Sequence, residues 1–418
     1  MGLGIGVTSA LPKGKSEAAV FKAIAKAIPG AVTDEVMKDV CAVHVGEEGV
    51  FAQLFPQCEP LEFVVHEGKL LASTKTSSCG PGYHAEVVDV LNRIGKACGL
   101  RWEWDGEDGG DETGFATSGD FDDLQGQMAR DIQMIAAHMS RDESHGNGEV
   151  PRCICWNMSA PTPLGPWFAI CSSGSLSLEW LKAIATGPEP RTLSREYHVW
   201  WERVRTPAEW AKLATMLMWS EIRWHPPADE WEEKMMRLAV LAAGKADKGV
   251  LRKAGVDDQD IVELQAMLAI GEDEEPVRPR LAGFGLFRGP ARWRQAGPWS
   301  VDLPGYFYLE HDEEGGLNWW YTGIAVRMSV LELNTETPAR EVIEGIVMEQ
   351  GATKVIFETD AHVESGHAMF TGEDGYLVLA GVKVVGNECA IITITYEKPH
   401  EREAIAAWKT ITRPAPSA

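Results

Sequence analysis

The hydrophobic and polar positions change period several times along the chain. Residues 4–7, GIGV, read as a short strand. Residues 16–28 then place Val20, Ile24, Ala25 and Ile28 on one helical face. DVCAVHVG (39–46), GVFAQLF (49–55) and LEFVVHEGKLLASTKTSS (61–78) are rich in β-branched and aromatic residues and read as strands. Helical spacing returns at 83–98, where Val87, Val88, Leu91, Ile94 and Ala97 share a face and Gly99 stands ready as a cap. RWEWDG (101–106) predicts a strand, the acidic glycine-rich stretch to residue 120 a loop, and residues 121–139 a second amphipathic helix. RDESHGNGEVP (141–151) breaks the pattern as a linker.

The middle of the chain opens with two expected strands, CICWNM (153–158) and PWFAI (166–170), and then turns helical. SLSLEWLKAIATG (175–187) carries a serine start signal and a terminal glycine. Pro207 opens a helix with Trp210, Leu213, Ala214, Leu217, Met218 and Ile222 on one face, and Pro226 with Pro227 stops it. Two more helices follow, from Asp229 and over 257–268. GEDEEPVRPR (271–280) reads as a linker between domains. The remainder is strand-rich: PWSVDLPG, YFYLEHDEE, LNWWYTGIAV and RMSVLELN precede a helix at 338–350. KVIFETDAHVES, GHAMFTGEDGYLVLAGVKVVGN and ECAIITITYEKP then lead to a helix over 400–411. In the last strand Ala390, Ile392, Ile394 and Tyr396 face one way. The pattern predicts an α+β protein: a mixed α/β domain over 1–150, a mainly helical region over 151–275, and an antiparallel β-rich α+β sandwich over 285–418.

A chain of 418 residues with 44% hydrophobic and 24% charged content buries a core without staples. The cysteines are scattered, and the C-x-C of Cys153 and Cys155 is not zinc spacing, so free thiols in a reducing cytoplasm are expected. The start of the chain lacks a basic leader and the Ser or Thr that myristoylation of Gly2 needs. No apolar run is long enough to span a membrane. The net charge of −23 opposes binding to nucleic acid and to anionic lipid and favours a basic protein partner, or serves solubility alone.

TSSCGPGYH (76–84) is the densest candidate for chemistry. Cys79 lies near a helix N-terminus, where a thiol pKa falls, and His84 follows as a candidate base. Gly80, Gly82, Tyr83 and His84 can equally line a ligand loop, with backbone N–H groups cradling an anion. The competing reading, preferred here, is that Gly80, Pro81 and Gly82 form a sharp strand-to-helix turn. The loop at 105–111 fails the calcium pattern, His66 lacks the second histidine of a zinc helix, and no G-x-S-x-G occurs, so neither a metal nor a cofactor is expected. Sixteen tryptophans against seven tyrosines raise the possibility of aromatic anchors. The candidates are Trp219, Glu221, Arg223 and Trp224 in WSEIRWHPP, and Trp319 with Trp320; core packing is the alternative, and for WSEIRWHPP, where Pro-Pro stops the helix, the preferred reading.

TSSCGPGYHAEVVDVL with DETGF, MLMWSEIRWHPPADEWEE and the tail GYLVLAGVKVVGNECAIITITYEKPHEREAIAAWKTI together resemble a group of uncharacterised bacterial proteins. The tail, roughly 120 residues and so the size of one domain, resembles the PsbP/Mog-type fold, which occurs in type VI secretion effector chaperones. That resemblance implies an immunity, adaptor or chaperone protein of a toxin or secretion system, bound to a basic toxin or effector. The alternatives are a cysteine- or histidine-based hydrolase, or a small-ligand sensor, working at residues 80–84.

Overall fold

The computed structural model describes residues 2–106, 109–141, 152–153, 162–163, 169–188, 190–270, 280, 283–294, 299–311, 316–333, 338–360, 362–372 and 374–413. Both expected linkers, at 141–151 and 271–280, lie outside these residues except for Arg141 and Arg280, as do most of CICWNM and PWFAI.

The first strands and helices are β1 (Gly4–Ala10), α1 (Glu17–Ala31), α2 (Glu35–Val40), β2 (Ala42–Val45), β3 (Gly49–Gln53), β4 (Leu61–His66), β5 (Lys69–Lys75) and α3 (Pro81–Cys98). The five strands form one sheet in the order β1-β5-β4-β3-β2, and every pairing is antiparallel. The alternation of strands and helices therefore does not wind a parallel sheet. Val7, Ala72, Phe63 and Val50 are partners across four strands and point to one buried face, against which α1 and α3 pack. Asp39 and Val40, expected in a strand, close α2 instead, because the Asp34 carboxylate caps its N-terminus. RWEWDG adds a single bridge, Glu103 to Thr8, before the two-residue strands β6 (Asp105–Gly106) and β7 (Gly109–Gly110).

Next come α4 (Phe115–Ser118), α5 (Phe121–Arg141), the short strands β8 (Arg152–Cys153), β9 (Thr162–Pro163), β10 (Ala169–Cys171) and β11 (Gly174–Leu176), then α6 (Leu178–Thr186) and α7 (Pro190–Tyr197). The helices α8 (Pro207–Ser220), α9 (Glu230–Lys245), α10 (Lys248–Lys253) and α11 (Asp258–Ala269) follow. Thr206 and Glu209 cap α8 reciprocally, and Asp229 and Asp257 cap α9 and α11. One buried cluster runs from Ile5 and Val7 through Val199, Leu217, Leu238 and Phe287. The first two sequence segments thus share a core across residue 150.

The C-terminal part holds β12 (Pro290–Arg294), β13 (Ser300–Pro304), β14 (Tyr308–His311), β15 (Leu317–Tyr321), β16 (Ile324–Glu332), α12 (Ala339–Glu349), β17 (Ile356–Asp360), β18 (Val363–Thr371), β19 (Leu377–Val385), β20 (Glu388–Tyr396) and α13 (Glu401–Thr410). The seven strands from β14 form one antiparallel sheet, ordered β14-β15-β16-β20-β19-β18-β17. IAV and RMSVLE make one strand, β16, after a tight turn at Thr322 and Gly323. Ala390, Ile392, Ile394 and Tyr396 are buried together with Trp408 of α13. The opposite face buries Val382, Val384 and Cys389 under Ile343 and Val347 of α12. The strand period of two supplies both cores. No described helix is long and apolar enough to cross a membrane.

Candidate functional site

The turn at 76–84 is built by close approach. Gly80 has φ +116°, a conformation side-chain-bearing residues avoid, and Pro81 starts α3. A Cβ on Gly82 would lie 2.2 Å from Trp200 Cδ1 and 2.3 Å from the Glu202 carbonyl oxygen. The space is filled because the chain at residues 198–202 lies on the turn: Gly82 N–H donates to Trp200 O (3.0 Å), and Trp200 N–H to Cys79 O (2.9 Å). Cys79, Tyr83 and His84 are buried. His84 Nδ1 is 2.7 Å from the Thr76 hydroxyl, and Nε2 is 3.1 Å from both Thr113 Oγ1 and Asp111 Oδ1. Burial pushes the Asp111 carboxyl up, but His84, the Thr113 hydroxyl and the Ala116 N–H together hold it down at about 2. Both ring nitrogens of His84 are therefore engaged away from Cys79. Burial together with Cys58 and Cys79 raises the Tyr83 phenol well above its usual range. The candidates Cys79, Gly80, Gly82, Tyr83 and His84 come together as expected, but as an enclosed knot joining the exit of β5, α3 and residues 111–116. Trp200 covers the turn at Gly82 and Tyr83, and Phe115 lies edge-on to the His84 ring.

WSEIRWHPP has a different fate. Ser220 bonds within its own helix, to Met216 O (2.8 Å), whereas Glu221, Arg223 and His225 reach other parts of the molecule. Glu221 accepts from Gln57 Nε2 (2.5 Å) beside β3, and burial pushes its carboxyl up to about 7. Arg223 donates to the Phe307 carbonyl (2.8 Å), with Nε 3.7 Å from Glu232 and its guanidinium 5.1 Å from the Tyr308 ring. His225 Nδ1 is 2.6 Å from Pro226 O and 2.8 Å from Tyr308 Oη. Burial lowers the His225 pKa, against the pull of Glu232. Tyr308 in turn stacks on Trp320 at 4.6 Å. The two tryptophan clusters singled out in the sequence therefore meet, through Tyr308, at the joint between the helices and the C-terminal sheet.

This corrects the candidate reading as surface anchors. Trp219, Trp224 and Trp319 are core residues, and Trp320 is half-buried against Tyr308. Trp224 has a left-handed φ of +63°, and the Arg288 guanidinium lies 3.4 Å over its ring. Arg288 is itself fully buried and paired with Asp260 (3.2 Å) and Glu263 (3.0 Å). Packing from several sides holds the strained backbone. Glu221 and Arg223 spend their polar atoms on this chain.

The surface offers a groove that sequence reasoning missed. It lies along α2 and α9, with a volume of about 850 Å³. Val240, Leu241 and Leu268 form its apolar side, and Leu241 is 45% exposed. Glu35, Asp39, Glu230 and Glu233 stand on the rim, against Lys234 and Arg237. Two of these carboxylates already hold cations: Glu35 with Lys245 (2.6 Å) and Glu233 with Arg237 (2.5 Å). The signal was in EWEEKMMRLAVLAAGK. Its buried stripe is Met235, Met236, Leu238, Ala239, Ala242 and Ala243, so Val240 and Leu241 are apolar residues outside it.

No family model matches the chain, and no curated protein matches it. Among solved structures, a crystal structure from Bacteroides thetaiotaomicron VPI-5482 aligns with 29% of this chain and 47% of that one, so the match spans about half of that protein. The identity is 14% and the TM-score 0.22, which carries no argument about fold or function.

Proposed function

We propose that this is a protein-binding protein whose α2–α9 groove takes a basic amphipathic helix of a partner. The groove itself carries the reading: an apolar strip with Leu241 exposed, flanked by Asp39 and Glu230 as well as by Glu35 and Glu233, which hold Lys245 and Arg237, on a chain of net charge −23. Leucine and valine in the floor bury the apolar stripe of a helix, while the rim attracts lysine or arginine on its flanks. The overall negative field steers such a partner inward, and salt weakens that steering. An immunity or adaptor role toward a basic toxin or effector is the most concrete form of this reading. The hydrolase alternative rests on Cys79 or His84, which are buried, and the sensor alternative on the turn at residues 80–84, where the Gly82 N–H is taken up by Trp200 O.

The test uses the full chain and two labelled peptides of ~18 residues, long enough for a helix of five turns. One carries leucine on its apolar face and lysine on its polar face; the other carries glutamate in place of lysine. Fluorescence anisotropy is expected to show binding of the basic peptide only, weakened by salt. Leu241→Asp, and Glu230→Lys with Glu233→Lys, are each expected to weaken it by about tenfold or more. Equal binding of both peptides, or unchanged binding by these variants, overturns the proposal.

A further inference from the structure

We propose that the recess at the open end of the C-terminal sheet binds a neutral polyhydroxylated ligand, a short oligosaccharide. α12 covers the β18–β19 side of one sheet face and stops at Glu349. Past Gln350 a cavity of about 760 Å³ is left above the strands. That size falls within the roughly 300–1,000 Å³ of small-molecule sites. Phe370 pairs with Val378, Val378 with Thr395, and Ala380 with Thr393, so Phe370, Thr393 and Thr395 point to this one face.

The lining decides the ligand class. The Thr393 hydroxyl donates to Gln350 Oε1 (3.2 Å), which orients the amide. The side-chain amide N–H groups of Gln350 and the hydroxyls of Thr371 and Thr395 have no hydrogen-bond partner within the chain among the described residues. Hydroxyls donate and accept, the amide N–H groups donate, and the Asp374 carboxylate accepts. Such a mixture matches sugar hydroxyls, which do both. The half-buried Phe370 ring offers an apolar face for the C–H side of a pyranose. Among the described residues no lysine or arginine lines this cavity, and Asp374 repels anions, so a phosphorylated or acidic ligand is disfavoured. The hairpin is preorganised: Gly372 N–H donates to Tyr376 O (2.8 Å), and Tyr376 N–H to Asp374 Oδ1 (3.1 Å). A second recess of about 410 Å³ shares Thr371 and Asp374 and adds the exposed Tyr376, with Glu397 and Lys398, whose ammonium is paired with Glu401 (2.7 Å). Together they give length for more than one sugar ring.

The experiment is saturation-transfer difference NMR on the full chain with cellobiose, maltose and N,N′-diacetylchitobiose, and with glucose 6-phosphate as the charged control. At least one disaccharide is expected to give a signal, and glucose 6-phosphate none. Thr395→Val keeps the branched shape and removes the hydroxyl; Asp374→Asn keeps the shape and removes the charge. Each is expected to weaken binding about tenfold with the circular dichroism spectrum unchanged. Silence from all three disaccharides overturns the proposal. So does a signal that survives both variants, or equal binding of the phosphate ester.

Discussion

Two buried histidines, set in the two stretches that the sequence singled out, show opposite ways of enclosing a polar group. His84 sits inside one unit, and both of its nitrogens have partners on nearby segments. His225 sits where helices meet a sheet from far along the chain, and its Nε2 is buried with no partner among the described residues. The His84 ring is fully bonded, while Tyr83 Oη and Trp200 Nε1 beside it are buried without a partner among the described residues. The His225 site combines a strained Trp224, a carboxyl pushed to about 7 and an unsatisfied nitrogen. A satisfied polar group rigidifies its surroundings; a partly satisfied one marks where a structure yields first. The 76–84 turn, read by preference as a strand-to-helix turn, forms one and is clamped by residues 198–202. WSEIRWHPP, weighed as a surface anchor against core packing, is a joint.

The largest effect expected from this contrast is on His84. His84→Ala leaves the buried Asp111 carboxylate without its main partner and is expected to cost about 3 kcal/mol or more in urea unfolding. His225→Ala loses one neutral hydrogen bond and a ring contact, about 1–2 kcal/mol. Acid sharpens the difference. Asp111 has a folded pKa near 2 against 3.8, so its contribution is complete above about pH 4 and is lost as pH falls through 2, about 2 kcal/mol in all. His225 has a lowered pKa, so its site starts to lose stability earlier, as pH falls below the ordinary histidine value. Equal losses in the two alanine variants would break the comparison.

A middle-sized effect has the opposite pH sign. Glu221 is raised from 4.5 to about 7, so the folded state keeps a proton that the unfolded state has released. Stability therefore falls as pH rises from 4.5 through 7. Glu221→Gln keeps the contact to Gln57 and removes the charge. It is expected to raise stability at pH 8 by about 2 kcal/mol and to change little near pH 4.5. Thermal unfolding at the two pH values checks this, and a gain of equal size at both would show that burial of the charge is not the cause.

The elements were legible where local chemistry and burial agree. The turn glycines, the helix over Pro81–Cys98 and its left-handed Gly99 cap were read directly. So was the Ile392–Ile394–Tyr396 face, because strand alternation reports which side is buried. The helices Pro190–Tyr197 and Lys248–Lys253 were missed: the first buries only Ser194 and Tyr197, and the second only Leu251, so neither has an apolar stripe. Periodicity also cannot tell what covers a face. Trp219, Trp224 and Trp319 were weighed as anchors since composition does not reveal that Arg288, Phe284 and the C-terminal core enclose them. His84 was grouped with Cys79 by proximity in sequence, whereas its partner Asp111 lies 27 positions away, in a loop read as solvated. The groove went unnoticed because its two helices are nearly two hundred residues apart, and only the fold brings Glu35 and Asp39 beside Leu241.

The smallest effect lies in the clamp, at its thiol. Helix N-termini lower thiol pKa values, and an activated Cys79 would react with iodoacetamide near pH 7 far ahead of the other cysteines. Enclosure acts the other way. Cys79 is 2% exposed, and its carbonyl accepts from Trp200 N–H, so the segment that covers the turn is pinned to it. Among Cys41, Cys58, Cys79, Cys98, Cys171 and Cys389, Cys41 alone is only half-buried, and even there burial raises the pKa. In the folded protein Cys41 is therefore expected to be alkylated first among these cysteines, and Cys79 with the slow group, in a mass-spectrometric time course. Cys79→Ala removes one sulfur from a tight site and is expected to cost about 1 kcal/mol, well below His84→Ala. Rapid, selective labelling of Cys79 would mean that Trp200 leaves the turn in solution, and the contrast between a closed clamp and a yielding joint would then be reversed.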